Sequence, residues 1–126
     1  MKFIPYAKPS LINLDKKHLI KAFDSTWISG GFYVDSFEKN FAKFLNCNNA
    51  LSVNNGTSAI DLVYQSLDLK QGDEIIFPGY GYMAASNLAL KYEYKPKFVD
   101  VDPDSLCIDV EKIEKQITKK TKLLVV

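Results

Sequence analysis

Val53-Asn54-Asn55-Gly56-Thr57-Ser58-Ala59 joins a short β-type run, Ala50-Leu51-Ser52-Val53, to a helical pattern that carries Ile60, Val63 and Leu67 on one face. The joint has the makings of a phosphate-cradling turn. A helix N-terminus presents unpaired N–H groups and a partial positive charge, so it attracts anions. Gly56 lets the backbone approach a phosphate closely. Thr57 and Ser58 add hydroxyl donors. An Asn-Gly pair is also a plain turn and Thr57 a plain cap. Short Gly-Thr motifs are common, so on pattern alone the two readings weigh evenly.

Downstream of this turn the chain alternates. Lys70-Gln71-Gly72-Asp73 reads as a turn, Glu74-Ile75-Ile76-Phe77 as a strand, and Pro78 as the end of that strand's hydrogen bonding. Met83 to Leu90 is alanine-rich and helical. Pro96-Lys97-Phe98-Val99-Asp100-Val101 is a further strand. A helix starts near Asp109, a good N-cap, with Val110, Ile113 and Ile117 as its expected buried face. Leu123-Leu124-Val125-Val126 is an apolar β-type run. The order from Ala50 is β-α-β-α-β-α-β. Near-continuous apolar strands alternating with helices predict an α/β fold, a mostly parallel sheet with helices on both faces. The chain stops inside its last apolar run, and the expectation is that the natural protein continues and the domain is incomplete here.

Upstream, Leu19, Ile20 and Phe23 mark a helix over Asn13 to Asp24, and Trp27-Ile28-Ser29-Gly30-Gly31-Phe32 is a loop. Val34, Phe37, Phe41, Phe44 and Leu45 fall on one face of a second helix at steps of three and four. That phenylalanine stripe reads as core. The expected organisation is an N-terminal helical segment over residues 1–48 and the first part of an α/β domain over residues 49–126.

Lysine and arginine total 16 against 15 aspartates and glutamates for a net charge of +1, which gives no electrostatic reason to expect nucleic acid as partner. No apolar stretch approaches the roughly 20 residues of a membrane span. Cys47 and Cys107 lie far apart and match no metal spacing, so reduced thiols and a cytoplasmic location are expected. Asp100, Asp102 and Asp104 lack the later Gly and Glu of an EF-hand loop and read as a turn around Pro103. His18, beside Lys16 and Lys17, reads as a solvated helical residue, and Lys119, Lys120 and Lys122 as solvated charges.

The joint after the second strand sharpens the turn at Gly56. Phe77-Pro78-Gly79-Tyr80-Gly81-Tyr82 ends its strand with two tyrosines and two glycines. Ligands of open α/β sheets bind beyond the carboxyl ends of strands, where both loops leave. A phosphate cradle beside an aromatic platform suits a flat ring carrying a phosphate, the shape of pyridoxal 5'-phosphate (PLP). Either tyrosine alone would read as ordinary packing at a sheet edge.

With those residues in hand, the chain resembles the DegT/DnrJ/EryC1/StrS family of PLP-dependent sugar aminotransferases. The resemblance runs through Ile4-Pro5-Tyr6-Ala7-Lys8-Pro9, Trp27-Ile28-Ser29-Gly30-Gly31 and Phe37-Glu38. It continues through Asn55-Gly56-Thr57-Ser58-Ala59, Gly72-Asp73-Glu74-Ile75-Ile76 and Pro78 through Asn87. It ends in Pro96 through Pro103 and Ile108-Asp109. Phe32 stands where members often have proline, and Gly79 and Gly81 where they usually carry side chains. The resemblance implies part of the large domain of a fold type I PLP enzyme, usually a homodimer. It implies transfer of an amino group, typically from glutamate, to a nucleotide-linked keto sugar. Gly56, Thr57 and Ser58 would bind the PLP phosphate, and Tyr82 would stack on its ring. Tyr6, Trp27, Ser29 and Gly30 lie in segments that approach the sugar. The Schiff-base lysine comes later in the family's sequences, and no lysine here matches it. The chain alone is therefore expected to be inactive. A related sugar dehydratase and a non-catalytic ligand-binding domain are the alternatives.

Overall fold

The computed structural model describes residues 3–126. Two compact units divide at Ser52 and Val53.

The N-terminal unit holds α1 (Asn13–Asp24) and α2 (Phe32–Phe44). The Asp15 carboxylate accepts the Ile12 N–H at 2.8 Å and closes the open start of α1. Gly31, at φ 152, caps α2, and its carbonyl accepts the Asp35 N–H at 2.9 Å. Of α2 only Ala42 is buried. Phe37 and Phe41 stack at 5.4 Å, yet each stays about half exposed, and Phe44 is 81% exposed. The phenylalanine stripe is thus not core in this chain. Two short helices have too little surface between them to cover it.

The second unit carries α3 (Gly56–Ser66), β1 (Glu74–Pro78), α4 (Ala84–Lys91), β2 (Lys95–Val99), α5 (Val110–Ile113) with a 3₁₀ turn over Glu114–Gln116, and β3 (Thr121–Leu124). The three strands form one parallel sheet in the order β2-β1-β3. Ile75, Ile76 and Phe77 of the central strand are all buried, as a continuous apolar run covered on both faces requires. Ile75, Phe77, Ala85, Leu88, Ala89, Tyr64 and Tyr94 make one core. Phe77 pairs with Phe98 across the ladder. The Gly79 N–H donates to the Val99 carbonyl at 2.7 Å, so pairing runs one residue beyond Pro78.

Three expectations are corrected. Ala50–Val53 is not a strand among the described residues. A strand exists only where a neighbour completes its ladder, and here the Ser52 N–H donates to the Glu38 carboxylate at 2.7 Å instead. On α3 the buried residue is Tyr64, with Ile60 partly covered, while Val63 and Leu67 are exposed. The core covers the side of the helix that carries Ile60 and Tyr64, at the edge of the aliphatic stripe, and leaves Val63 turned away. Val110 and Ile117 are likewise exposed, because α5 ends after one turn and passes into a tighter 3₁₀ turn that swings the stripe off register. Asp109 does cap that helix, accepting the Glu111 N–H at 3.1 Å.

Candidate functional site

Asn55 is extended at φ −165 and ψ 168, and its side-chain Oδ1 accepts the Ser58 N–H at 2.8 Å. That is the N-cap bond that starts a helix. The Ser58 hydroxyl donates to Asn54 Oδ1 at 2.7 Å. Both donors of Ser58 are therefore engaged within the turn. The N–H groups of Gly56 and Thr57 and the Thr57 hydroxyl find no acceptor among the described residues, and they open the helix toward solvent. A side chain placed at Gly56 would meet nothing within 4 Å, so the approach to those donors is clear.

Thr57 and Tyr82 line one cleft of about 390 Å³, with Gly81, Met83, Ala84, Asn87, Leu88 and Lys91. Positions 84, 87, 88 and 91 are one stripe of α4 at helical spacing, so a single helix face forms that wall. Tyr82 follows the carboxyl end of β1 and is 90% exposed, leaving its ring free. Lys91 ends the stripe. Its Nζ sits 3.2 Å from Asp61 Oδ1 and 4.9 Å from the centre of the Tyr92 ring. The Tyr92 hydroxyl donates to the same Asp61 oxygen at 2.7 Å. That hydrogen bond, helped by Lys91, holds the Asp61 carboxyl below the usual range, and Asp61 in turn holds the Lys91 ammonium above its own. Asn87 and Lys91 were missed in the sequence reading. The available signal was their spacing from Ala84 on a helix that leaves the Tyr82 loop.

The other residues singled out belong to the N-terminal unit. Trp27, Ser29 and Gly30 are brought together in one loop, where the indole N–H of Trp27 donates to the Gly30 carbonyl. A side chain at Gly31 would come within 2.5 Å of Trp27 Nε1, so that glycine is what lets the indole fold over the loop. Trp27 and Ser29 line a pocket of about 300 Å³ with Ser25, Gly31, Phe32 and Tyr33. Tyr6 is exposed and lines neither cleft. The Asp102 carboxylate accepts the N–H groups of Asp104 and Ser105 at 3.2 and 2.8 Å, which gives the acidic segment its turn. Among the described residues no helix is long and apolar enough to cross a membrane.

Comparison with known proteins places this geometry. Two GDP-perosamine synthases, from Vibrio cholerae and Escherichia coli O157:H7, are 40% and 41% identical to the chain. The matches cover 94% and 98% of this chain but 33% and 34% of those proteins, so the chain spans about a third of their length. The structure of an E. coli GDP-4-keto-6-deoxy-D-mannose-3-dehydratase with bound hydrated PLP matches with a TM-score of 0.89 at 32% identity, over 95% of this chain and 32% of that one. An aminotransferase from Psychrobacter cryohalolentis matches with a TM-score of 0.85 at 28% identity, over 95% of this chain and 31% of that one. The DegT/DnrJ/EryC1/StrS aminotransferase family matches residues 9–126, and the chain belongs to that family.

Proposed function

We propose that the protein containing this chain is a PLP-dependent aminotransferase acting on a nucleotide-linked keto sugar, with glutamate as amino donor. The observation that carries the proposal is the meeting of Thr57 and Tyr82 in one cleft, on a chain about 40% identical to GDP-perosamine synthases. The donor set fits a phosphate: two helix-start N–H groups, the Thr57 hydroxyl and a clear approach past Gly56. The exposed Tyr82 ring fits a flat pyridine. Bound there, PLP supplies the electron sink for amino-group transfer.

In this reading Gly56 and Thr57 hold the phosphate by charge-assisted hydrogen bonds. Ser58 serves indirectly, since its N–H and hydroxyl lock Asn54 and Asn55 into the turn. Tyr82 fixes the plane of the ring. Tyr6, Trp27, Ser29 and Gly30 contribute to the sugar side. Residues 1–48 form an N-terminal helical segment and residues 49–126 the first part of the large α/β domain. The reading extends to a homodimer, supported by the exposed phenylalanines of α2, and to the cytoplasm, supported by the free thiols of Cys47 and Cys107.

A GDP-keto sugar dehydratase is the second reading, favoured by the 0.89 TM-score. The higher identity to the synthases favours amination. The test uses full-length protein with PLP, glutamate and a GDP-linked keto sugar. Formation of an amino sugar with matching release of the oxo acid supports the proposal. Loss of water from the sugar with no amino sugar formed supports the dehydratase. Wild-type PLP affinity in a Thr57→Asp variant would sink the phosphate assignment.

A further inference from the structure

Thr57 and Asp61 are four residues apart on α3, and Asn87 and Lys91 four apart on α4, so each pair shares a helix face. The first member of each pair lines the cleft. The second members meet across the helices: Lys91 Nζ lies 3.2 and 3.4 Å from the two Asp61 oxygens. Tyr92, which caps the C-terminus of α4, donates its hydroxyl to Asp61 at 2.7 Å. Gln65, one further turn along α3, donates to Asp61 at 3.3 Å. Asp61 thus gathers three donors, two of them from the end of α4, and its side chain is only 25% exposed against 57% for Lys91. The Tyr92 ring is itself fixed, stacked on Tyr94 at 5.7 Å and edge-on to the buried Tyr64 at 6.4 Å. An acceptor that joins two helices at one level restrains the gap between them a turn or two away, at their N-terminal ends.

We propose that Asp61, Tyr92 and Lys91 are positioning residues: they clamp α3 to α4 and so set the spacing between the Thr57 donors and the Tyr82 ring. The inference rests on the reading of that cleft as the PLP site. Lys91 closes the far end of the cleft, while Asp61 and Tyr92 stand outside its lining and act through Lys91 and the two helices. Their effect is to hold both walls at the separation at which the phosphate and the ring are gripped together. Tyr64, whose hydroxyl donates to the Ala85 carbonyl at 3.0 Å, ties the same helices inside the core. The clamp is the outer, polar tie.

The test is PLP titration of full-length apoprotein, followed by quenching of protein fluorescence, beside thermal unfolding of the same samples. Asp61→Ala is expected to weaken PLP binding about fivefold or more, and Tyr92→Phe about threefold, as for loss of a hydrogen bond to a charged group at a partly solvated site. Asp61→Asn, which still accepts from Tyr92, is expected to recover part of the loss. Glu74→Gln serves as a stability control, because Glu74 lies at the opposite end of β1 from Tyr82. It should lower the melting temperature and leave PLP affinity unchanged. Wild-type affinity in Asp61→Ala and Tyr92→Phe overturns the clamp. So does an equal loss in Glu74→Gln, since affinity would then follow stability alone. Failure of the cradle reading has a different signature, wild-type affinity in Thr57→Asp.

Discussion

Replacing Tyr64 by phenylalanine removes one buried oxygen from the junction of α3, α4 and the sheet, and its cost should reverse with pH. The Tyr64 ring is 2% exposed and lies edge-on to Tyr94 at 5.9 Å and to Tyr92 at 6.4 Å, contacts that phenylalanine keeps. Only the hydrogen bond to Ala85 is lost. Ala85 lies in α4, where its carbonyl also faces the N–H four residues on, so it is not orphaned. The cost at neutral pH should therefore stay near the net value of one hydrogen bond, about 1 kcal/mol. Burial, with Tyr94 beside it, pushes the Tyr64 hydroxyl up from 10.0 to about 12. The folded state thus keeps a proton that the unfolded chain gives up first. That stability is fully present below the unfolded pKa and is lost as pH rises toward the folded one. Midway, near pH ~11, the loss amounts to one pKa unit, about 1.4 kcal/mol. The phenylalanine variant escapes this loss. It should be less stable than wild type near neutrality and equal to it or slightly more stable near pH ~11. Urea unfolding followed by circular dichroism at both pH values, on full-length protein, measures the difference. The other tyrosines cancel in that comparison. A wild-type advantage that does not change with pH would refute the description of this hydroxyl as buried and neutral.

Three further outcomes follow from single contacts. Asn55→Ala removes the cap that holds the Ser58 N–H and should cost about 1 kcal/mol in unfolding free energy, read as a lower urea midpoint. Glu74 accepts from Thr118 at 2.7 Å and from Lys97 at 3.2 Å, and the Thr118 bond first, then Lys97, holds its carboxyl below the ordinary value of 4.5. Its contribution is present above that value and disappears as pH falls through the depressed one, so Glu74→Gln should flatten the acid limb of the melting temperature against pH. Gly31→Ala sets a methyl 2.5 Å from Trp27 Nε1 at a backbone φ of 152, so it should expel the indole and shift the Trp27 fluorescence to the red. Unchanged emission would contradict the packed loop.

Much of the layout was legible residue by residue. The apolar triplet Ile75-Ile76-Phe77 reads as a strand buried on both sides, and Asp109 announces a helix start through its own side-chain chemistry. At the other turn the structure gives the cap to Asn55, where the pattern offers Thr57. The Gly-Thr turn and the Tyr82 loop were visible as two separate candidates. Their meeting in one cleft was not, because it depends on the packing of α3 beside α4 through Tyr64, Ala85 and Leu88. Helical periodicity shows that a helix has faces, but not which face the sheet will cover. Val63 and Leu67 look as apolar as Ile60, yet a tyrosine won the buried position by reaching a carbonyl on the next helix. Ala50–Val53 has the composition of a strand, but a ladder needs a second backbone, which sequence composition does not reveal. The cleft likewise took its polar end from Lys91, which Asp61 holds together with Tyr92. Asp61 is 30 and 31 residues from the other two, and only the close approach of two helices lets such short-range bonds form. Local chemistry therefore determined the turn that can hold a phosphate. Tertiary packing alone decided what stands opposite it, because hydrogen bonds and ring contacts act over a few ångströms and their partners here are far apart along the chain.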